Sequence, residues 1–336
     1  MDSADSHVFV IAEVGSTHDG SFGNAKAAAA AVMETAADAA KFQTHIPEAE
    51  TIRSAPAPTY FAEESRYDYF QRTGFSKDQW IDLKAFCEAR RLAFLSSAFS
   101  MEAVALLEEI GMKMWKIPSG EVTNLPYLDL IAQTEKPIIL SSGMSTQKEL
   151  DEAVNTVLKR HDKLTVLQCT TEYPCVPEHV GLNVMVEFKE RYGLPVGLSD
   201  HTASNTAALV AVALGASVIE KHFALSHRLY GSDAMHSTEP EQFTELVQGI
   251  RETEVMLTAK VDKNDVSQLA AMKLVFEKSV VSLMDIPAGM LIEERMIGVK
   301  KPGTGIPART YFELVGRRAK RNIAADSVLV NADIDF

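Results

Sequence analysis

Residues 195–223, PVGLSDHTASNTAALVAVALGASVIEKHF, contain two short apolar runs on either side of a helix-like segment. Apolar residues occupy consecutive positions in both runs, which is typical of strands that are covered on both faces. The segment between them, 203–214, is followed by Gly215, a residue type that commonly ends a helix. The stretch therefore predicts a strand, a helix and a second strand of a parallel sheet.

This alternation of strand and helix runs through the first 258 residues. Eight strand-like runs over roughly 250 residues favour a (β/α)8 barrel, whose chemistry lies at the C-terminal ends of the strands. A doubly wound open sheet is the alternative that the pattern leaves open. Ser76, Ser100 and Thr146 stand where N-cap residues of helices are expected. The predicted strands span 8–15, 39–45, 93–99, 114–120, 137–143, 164–170, 195–201 and 217–223.

The pattern changes after the predicted barrel, and the chain is expected to contain two domains. Residues 1–258 form the barrel, 259–276 a linker and 277–336 a small β-rich domain. Within the barrel, the connection over 46–76 is unusually long and is predicted to be an active-site lid. Short strands of the second domain are expected over 279–283, 296–299 and 328–330.

The composition excludes several classes of protein. Charged residues make up 24% and apolar residues 46% of the chain, which excludes collagen-like and wholly disordered proteins. The net charge of −13 argues against electrostatic binding to nucleic acid or to an anionic membrane surface. The longest apolar stretch, 207–219, is shorter than the roughly 20 residues of a spanning helix. Three cysteines without a CxxC pair, and a start without a basic signal-peptide region, predict a cytoplasmic protein.

Two lysines lie within otherwise apolar predicted strands. An ammonium group removed from water is costly unless an anion pairs with it. If Lys41 and Lys116 both point into the barrel mouth, a doubly charged ligand group such as phosphate is a natural partner. A surface or structural role for each lysine is the alternative. Hydroxyl groups for the same ligand would come from Ser97, Ser119, Ser141 and Ser199.

Two histidines, His201 and His222, end neighbouring predicted strands. Two imidazoles at this position can coordinate a divalent metal and leave other coordination positions open for water and substrate. A pair of hydrogen-bonded structural histidines is the alternative, and the spacing does not identify the metal.

Seven short segments, in this order and spacing, resemble the sialic acid synthase family, which condenses phosphoenolpyruvate with an N-acylated amino sugar. The resemblance implies a (β/α)8 TIM barrel followed by a small antifreeze-like (SAF) domain. It also implies a domain-swapped homodimer in which the small domain reaches over the partner's active site. The segments are IAEVG (11–15), KFQTH (41–45), KIPSGE (116–121), LSSGM (140–144), GLSDHT (197–202), EKHF (220–223) and KPGTG (301–305).

The resemblance also implies roles for individual residues. It assigns proton transfer to Glu121, which acts with the two lysines as the catalytic group. The positions matching the phosphoenolpyruvate site are Lys41, Ser97, Lys116, Ser119, Ser141 and Ser199. The positions matching the amino-sugar site are Glu13, Gln43, Tyr173, Asp233 and, in the second domain, Lys301. The two ligands of a Mn²⁺ or Mg²⁺ ion match His201 and His222.

Three departures from the family pattern concern the acceptor. The chain has Thr-His-Asp-Gly over 17–20 where Asn-His-Asn-Gly is common, and Thr171 where Asn is common. Lys301 stands where an arginine often contacts the N-acyl group, and a lysine cannot reproduce that planar contact, although Arg309 is a candidate substitute. The expected substrates are phosphoenolpyruvate and an N-acyl hexosamine of the N-acetylmannosamine type. A legionaminic or pseudaminic acid synthase with a modified acceptor, or a non-catalytic sugar-binding protein, is the alternative.

Overall fold

The computed structural model describes residues 7–55, 64–231 and 233–336. The chain divides into two compact units, Met1–Ala259 and Lys260–Phe336. No helix within the described ranges has the length and apolar character needed to cross a membrane. All three cysteines are buried free thiols.

The first unit contains one eight-stranded parallel sheet. Its strand order is β3-β2-β1-β8-β7-β6-β5-β4, and the two end strands, β3 and β4, lie against each other, so the sheet nearly closes. The expected barrel is therefore confirmed and the open doubly wound sheet is excluded. The strands are β1 (Phe9–Gly15), β2 (Ala39–Thr44), β3 (Ala93–Ala98), β4 (Trp115–Ile117), β5 (Ile138–Ser141), β6 (Leu164–Cys169), β7 (Val196–Asp200) and β8 (Val218–His222).

Helices follow the strands, and three of them begin directly after a predicted N-cap residue. The side chains of Ser76, Ser100 and Thr146 each accept a backbone N–H of the first helical turn, which satisfies a donor that the helix itself leaves unpaired. The helices are α1 (Phe22–Glu34), α2 (Pro47–Glu50), α3 (Arg66–Thr73), α4 (Lys77–Glu88), α5 (Met101–Glu109), α6 (Leu125–Ala132), α7 (Gln147–Leu158), α8 (Leu182–Tyr192), α9 (Thr206–Ala213) and α10 (Pro240–Thr258).

The predicted strand 114–120 and the predicted helix 203–214 exceed the observed elements by the most, and other predicted strands, such as 137–143, exceed theirs by less. The strand predicted over 114–120 stops at Ile117, because the proline that follows has no N–H for the ladder and a 3₁₀ turn comes next. The helix predicted over 203–214 starts late, because the backbone before it turns toward a buried lysine. Lys221 Nζ donates to the carbonyl oxygens of Thr202 and Ser204 at 2.6 and 3.1 Å.

The register between neighbouring strands places polar side chains at one level of the barrel. Glu13 of β1 lies beside Lys41 of β2 and also beside His222 of β8. Side chains alternate across a strand, so Glu220 and His222 share one side of β8 while Lys221 points to the other. The barrel thus presents charged groups from several strands at its C-terminal end.

The long connection after β2 contains two short helices, α2 and α3, within the predicted lid over 46–76. Part of that predicted lid, 56–63, lies outside the described residues. Tyr67, Tyr69 and Phe70 of α3 are buried, so the described part of the connection packs on the barrel.

The second unit is small and has its own apolar core, which includes Val280, Ile297 and Leu329. The second half of the predicted linker, 259–276, contains the helix α11 (Ala270–Phe276), and a helix rises only about 1.5 Å per residue. No ladder forms over the predicted strand 328–330, where Val328 makes one isolated bridge. The remaining elements are α12 (Tyr311–Leu314), β9 (Ser279–Ser282), β10 (Ile297–Lys300), β11 (Arg318–Ala319) and β12 (Ile334–Asp335).

Candidate active site

The C-terminal ends of the barrel strands surround a cavity of about 440 Å³. Every predicted site residue of the barrel lines it. Lys301 belongs to the second unit, where its ammonium group lies 4.8 Å from the centre of the Phe276 ring. The predicted residues around the cavity are Glu13, Lys41, Gln43, Ser97, Lys116, Ser119, Glu121, Ser141, Tyr173, Ser199, His201, His222 and Asp233.

Lys41 is buried among two carboxylates and a hydroxyl. Its Nζ lies 2.8 Å from Glu13 Oε2 and 3.7 Å from Glu220 Oε2, and it donates to Ser97 Oγ at 3.3 Å. Burial lowers the pKa of Lys41, but the two carboxylates outweigh burial and raise it overall. Lys41 therefore carries its charge in the absence of any ligand.

The positive charge of Lys116 is less well compensated than that of Lys41. Its Nζ lies 3.3 Å from Glu220 Oε1, which also accepts a hydrogen bond from Ser199 Oγ at 3.2 Å. Burial lowers the pKa of Lys116, and Glu220 offsets this only in part. An anionic ligand would supply the missing stabilisation of this ammonium group.

Glu220 is the residue of this cluster that the sequence analysis did not assign. Burial raises the pKa of its carboxyl, but Lys116 and Lys41 outweigh burial and lower it to about 2. The signal available in the sequence was its position two residues before His222, which puts both side chains on one side of β8. We expected Lys41 and Lys116 to pair with an anionic ligand, but both ammonium groups already have carboxylate partners within the chain.

Hydroxyl groups are packed closely at the ends of β4 and β5. The Oγ of Ser141 is buried and has no hydrogen-bond partner among the described residues, so it is available to a ligand. A Cβ on Gly143 would lie 2.5 Å from Thr171 Oγ1 and 2.6 Å from Ser119 Oγ. Only glycine leaves room for both hydroxyls at this position.

The two predicted metal ligands, His201 and His222, both line the cavity, and their ring centres lie 5.4 Å apart. His201 Nδ1 donates to the carbonyl oxygen of Thr170 at 2.8 Å, which leaves a lone pair on Nε2. Burial and the nearby His222 lower the pKa of His201 to about 3, so its ring is neutral near pH 7. His222 Nδ1 is buried without a hydrogen-bond partner among the described residues. These properties fit metal ligation.

The described residues contain no group of three or more His, Cys, Asp or Glu side chains arranged to hold a metal ion. Tyr173 OH lies 3.3 Å from His201 Nε2, so this hydroxyl would have to move away before Nε2 binds a metal ion. A metal at this place would therefore have two protein ligands and take its other ligands from water and substrate.

The side of the cavity predicted to hold the sugar carries amide and carboxylate groups. Gln43 Nε2 donates to Glu13 Oε1 at 2.8 Å. Asp233 comes close to β1, since a Cβ on Gly15 would lie 3.0 Å from its Oδ2. Oxygen acceptors in this arrangement suit the hydroxyl and amide N–H groups of an amino sugar.

Glu121 ends a 3₁₀ turn at the cavity rim, and its Oε2 accepts a hydrogen bond from Asn124 Nδ2 at 2.8 Å. Burial raises the pKa of this carboxyl. A half-buried carboxyl with a raised pKa is suited to taking and delivering a proton.

One of the departures over 17–20, the aspartate at position 19, has a structural explanation. His18 is buried and stacks on Phe75 at 4.5 Å between ring centres, and its Nδ1 accepts the N–H of Gly20 at 3.1 Å. Asp19 accepts a hydrogen bond from Arg72 at 2.6 Å. An aspartate at this position therefore forms an ion pair with the connection after β2.

Two family models match the chain. The NeuB family model matches residues 28–262, and the SAF domain model matches residues 277–335.

Full-length relatives and solved structures agree with these matches. The chain is 38% identical over 329 residues to the N,N'-diacetyllegionaminic acid synthase of Campylobacter jejuni, covering 95% of this chain and 98% of that protein. It is 32% identical over 334 residues to the human N-acetylneuraminate-9-phosphate synthase, covering 97% and 92% of the two chains. The crystal structure of N-acetylneuraminic acid synthetase from Leptospira borgpetersenii superposes with a TM-score of 0.69 at 27% identity, covering 79% of this chain and 90% of that one.

Proposed function

Since the chain belongs to the NeuB family, we propose that it condenses phosphoenolpyruvate with an N-acylated amino sugar and water, giving a nine-carbon 2-keto acid and phosphate. The observation that carries this proposal is the pair of buried ammonium groups, Lys41 and Lys116, on the same cavity as two imidazoles. Relatives that share most of the chain's length are named as synthases of such acids. The acceptor is an N-acyl hexosamine of the N-acetylmannosamine type.

The ammonium groups of Lys41 and Lys116 bind the phosphate and carboxylate of phosphoenolpyruvate and hold it in a reactive orientation. The hydroxyls of Ser97, Ser141 and Ser199 complete the anion site. C3 of the enolpyruvate bonds to the aldehyde carbon of the sugar, which leaves positive charge at C2. Water adds at C2 and loses one proton. The resulting C2 hydroxyl then gives its proton to the departing phosphate as the C2–O bond to phosphate breaks and the C2 ketone forms.

Glu121 moves the proton in this sequence. The water that adds at C2 must lose a proton, and the aldehyde oxygen must gain one when it becomes a hydroxyl. A carboxyl at the cavity rim with a pKa raised by burial can accept the first and deliver the second.

We further propose that His201 and His222 hold a Mn²⁺ or Mg²⁺ ion. When bound, the ion would act as a Lewis acid toward the sugar's aldehyde oxygen. The neutral ring of His201, oriented by the Thr170 carbonyl, and the unpartnered Nδ1 of His222 support this role.

The deciding experiment measures phosphate release from phosphoenolpyruvate with a panel of N-acyl hexosamines, and identifies each product by mass. Sugar-dependent release with formation of a nine-carbon acid is expected. Absence of release with every sugar and either metal would refute the proposal. Sugar binding by calorimetry without turnover would favour a non-catalytic sugar-binding protein.

The panel includes two classes of acceptor. N-acetylmannosamine is the main candidate, and di-N-acetylated hexoses are the second because of the relatives named as legionaminic acid synthases. Pseudaminic acid precursors belong in the panel for the same reason. The acceptor with the highest kcat/KM identifies the substrate.

We propose a domain-swapped homodimer in which the SAF domain covers the cavity of the partner subunit. Four side chains of α11 are apolar and more than half exposed, namely Met272, Leu274, Val275 and Phe276, which supports burial against another surface. Two inactive full-length variants, Lys116→Ala and Lys301→Glu, test this when they are mixed after dissociation. Recovery of activity is expected, and no recovery in demonstrated heterodimers would contradict the shared site.

We also propose a cytoplasmic location. The three cysteines are buried as free thiols, which is the state that a reducing compartment maintains. Fractionation of cells that express the full chain tests this.

A further inference from the structure

His45 lies at the end of β2 and is held between two aromatic rings. The ring centres of Phe70 and Phe99 are 3.5 and 4.1 Å from that of His45, with interplanar angles of 17° and 19°. The side chain is only 4% exposed. Its ring plane is therefore fixed by packing on both faces.

Both ring nitrogens of His45 have polar partners. Nδ1 lies 2.6 Å from Glu50 Oε2, and Nε2 lies 3.2 Å from Gln43 Oε1. Both partners are acceptor oxygens, so the two contacts are hydrogen bonds together when each ring nitrogen carries a proton, a state that the Glu50 carboxylate favours and burial opposes. With both faces packed and both nitrogens in contact, the ring has no alternative orientation that keeps these contacts. His45 thus presents a fixed polar atom to Gln43.

The Gln43 amide is in turn held at both ends. Its oxygen faces His45, and its Nε2 donates to Glu13 Oε1. A free glutamine side chain samples many rotamers, and fixing it before a ligand arrives removes an ordering cost from binding. The amide is therefore preorganised on the side of the cavity that also carries Glu13 and Asp233.

We infer that His45 is a positioning residue that fixes the Gln43 amide for the acceptor sugar. This inference rests on the proposed function and deepens it, because it names a residue that acts on sugar binding through another side chain. His45 does not need to touch either substrate in this role.

The effect should be confined to the sugar. Gln43 bonds to Oε1 of Glu13, whereas Lys41 pairs with the other oxygen, Oε2. Lys41 also contacts Ser97 and Glu220, which do not contact His45, so its ion pairs should persist when His45 changes. Loss of the His45 contact should therefore raise the KM for the acceptor and leave the KM for phosphoenolpyruvate unchanged.

Two substitutions separate the polar contact from the packing. His45→Gln places an amide near the former Nε2 and can still bond Gln43, whereas His45→Asn reaches only the former Nδ1 and Glu50. Both variants lose the ring between Phe70 and Phe99, so the lost packing is matched. His179, whose Nδ1 lies 2.8 Å from Glu172 on an exposed surface, provides the control substitutions His179→Gln and His179→Asn.

Steady-state kinetics of the full chain should show an acceptor KM about tenfold higher in His45→Asn than in His45→Gln, the size of effect expected from one lost hydrogen bond. The KM for phosphoenolpyruvate should agree within about twofold between them, and both control variants should match the wild type. Equal acceptor KM values in the two variants, or an equal rise in both KM values in His45→Asn, would overturn the inference.

A second measurement does not depend on turnover. In ¹⁵N NMR, hydrogen exchange of the Gln43 side-chain amide should be slow in the wild type and in His45→Gln, and about tenfold faster in His45→Asn. Equal exchange rates in the two variants would overturn the inference even if the wild type turned over no acceptor. Wild-type inactivity together with this difference would refute the proposed function alone.

Discussion

Glu220 Oε1 lies 3.3 Å from the ammonium group of Lys116, with both side chains less than a tenth exposed. Removing one partner of a buried ion pair leaves the other charge uncompensated, at a cost of about 3–5 kcal/mol. Glu220→Gln should therefore lower the free energy of unfolding by about 3 kcal/mol in urea denaturation. Saturating phosphoenolpyruvate should recover part of the loss, because it brings negative charge to both lysines.

The matched control is Glu109→Gln, which breaks the pair of Glu109 with Lys77, both about half exposed. An exposed pair contributes about 1 kcal/mol or less. A loss in Glu220→Gln no larger than that in this control would contradict the assigned role of Glu220.

Stability should fall in acid through His18. Burial lowers the pKa of His18 to about 4, below its unfolded value of 6.5, so the folded state favours the neutral ring. The contribution is complete above pH 6.5 and is lost as pH falls through 4. Between pH 7 and pH 4 the wild type should lose about 3 kcal/mol more than His18→Asn.

This difference is measured by urea titration at each pH, with the exposed His179→Asn as the control. Parallel stability curves for the wild type and His18→Asn over this range would show that His18 does not carry the effect.

Gly143→Ala should impair phosphoenolpyruvate binding more than it impairs folding. The new Cβ would displace the hydroxyls of Ser119 and Thr171, which are side-chain groups that can move at modest cost. We expect an increase of about tenfold in the KM for phosphoenolpyruvate, corresponding to about 1.4 kcal/mol. Gly120→Ala serves as the comparison, since its Cβ would meet only Met144 Cε at 3.9 Å. Similar kinetics in both variants would argue against a role for this hydroxyl cluster.

Metal removal should abolish activity reversibly. With two histidines as the protein ligands, exhaustive chelation should reduce phosphate release to background, and adding Mn²⁺ or Mg²⁺ should restore it. His201→Ala should be inactive with any added metal while its unfolding temperature stays within a few degrees of the wild type, about 1 kcal/mol or less. Full activity of chelated His201→Ala would disprove the metal assignment.

Local signals in the sequence were sufficient for the barrel and for most residues around the cavity. Eight apolar runs and N-caps such as Ser76 are properties of short segments, and the structure confirms them. The pairing of Lys41 with Glu13 and Glu220 depends on the register of three strands that are distant in sequence, which no short segment encodes. The helix α11 was not predicted, because it is short and lacks the side-chain cap that marks the start of a helix in a sequence.

The four buried charges around the cavity, Lys41, Lys116, Glu13 and Glu220, sum to zero, and the chain as a whole carries −13. From a distance, the protein therefore does not attract anions, although the proposed phosphoenolpyruvate site contains two lysines. A multiply charged anion approaches against a repulsive field, whose range shortens as salt is added. Moderate ionic strength should therefore increase the rate constant for association with phosphoenolpyruvate. In enzymes whose exposed positive charges attract an anionic substrate, added salt lowers that rate constant instead.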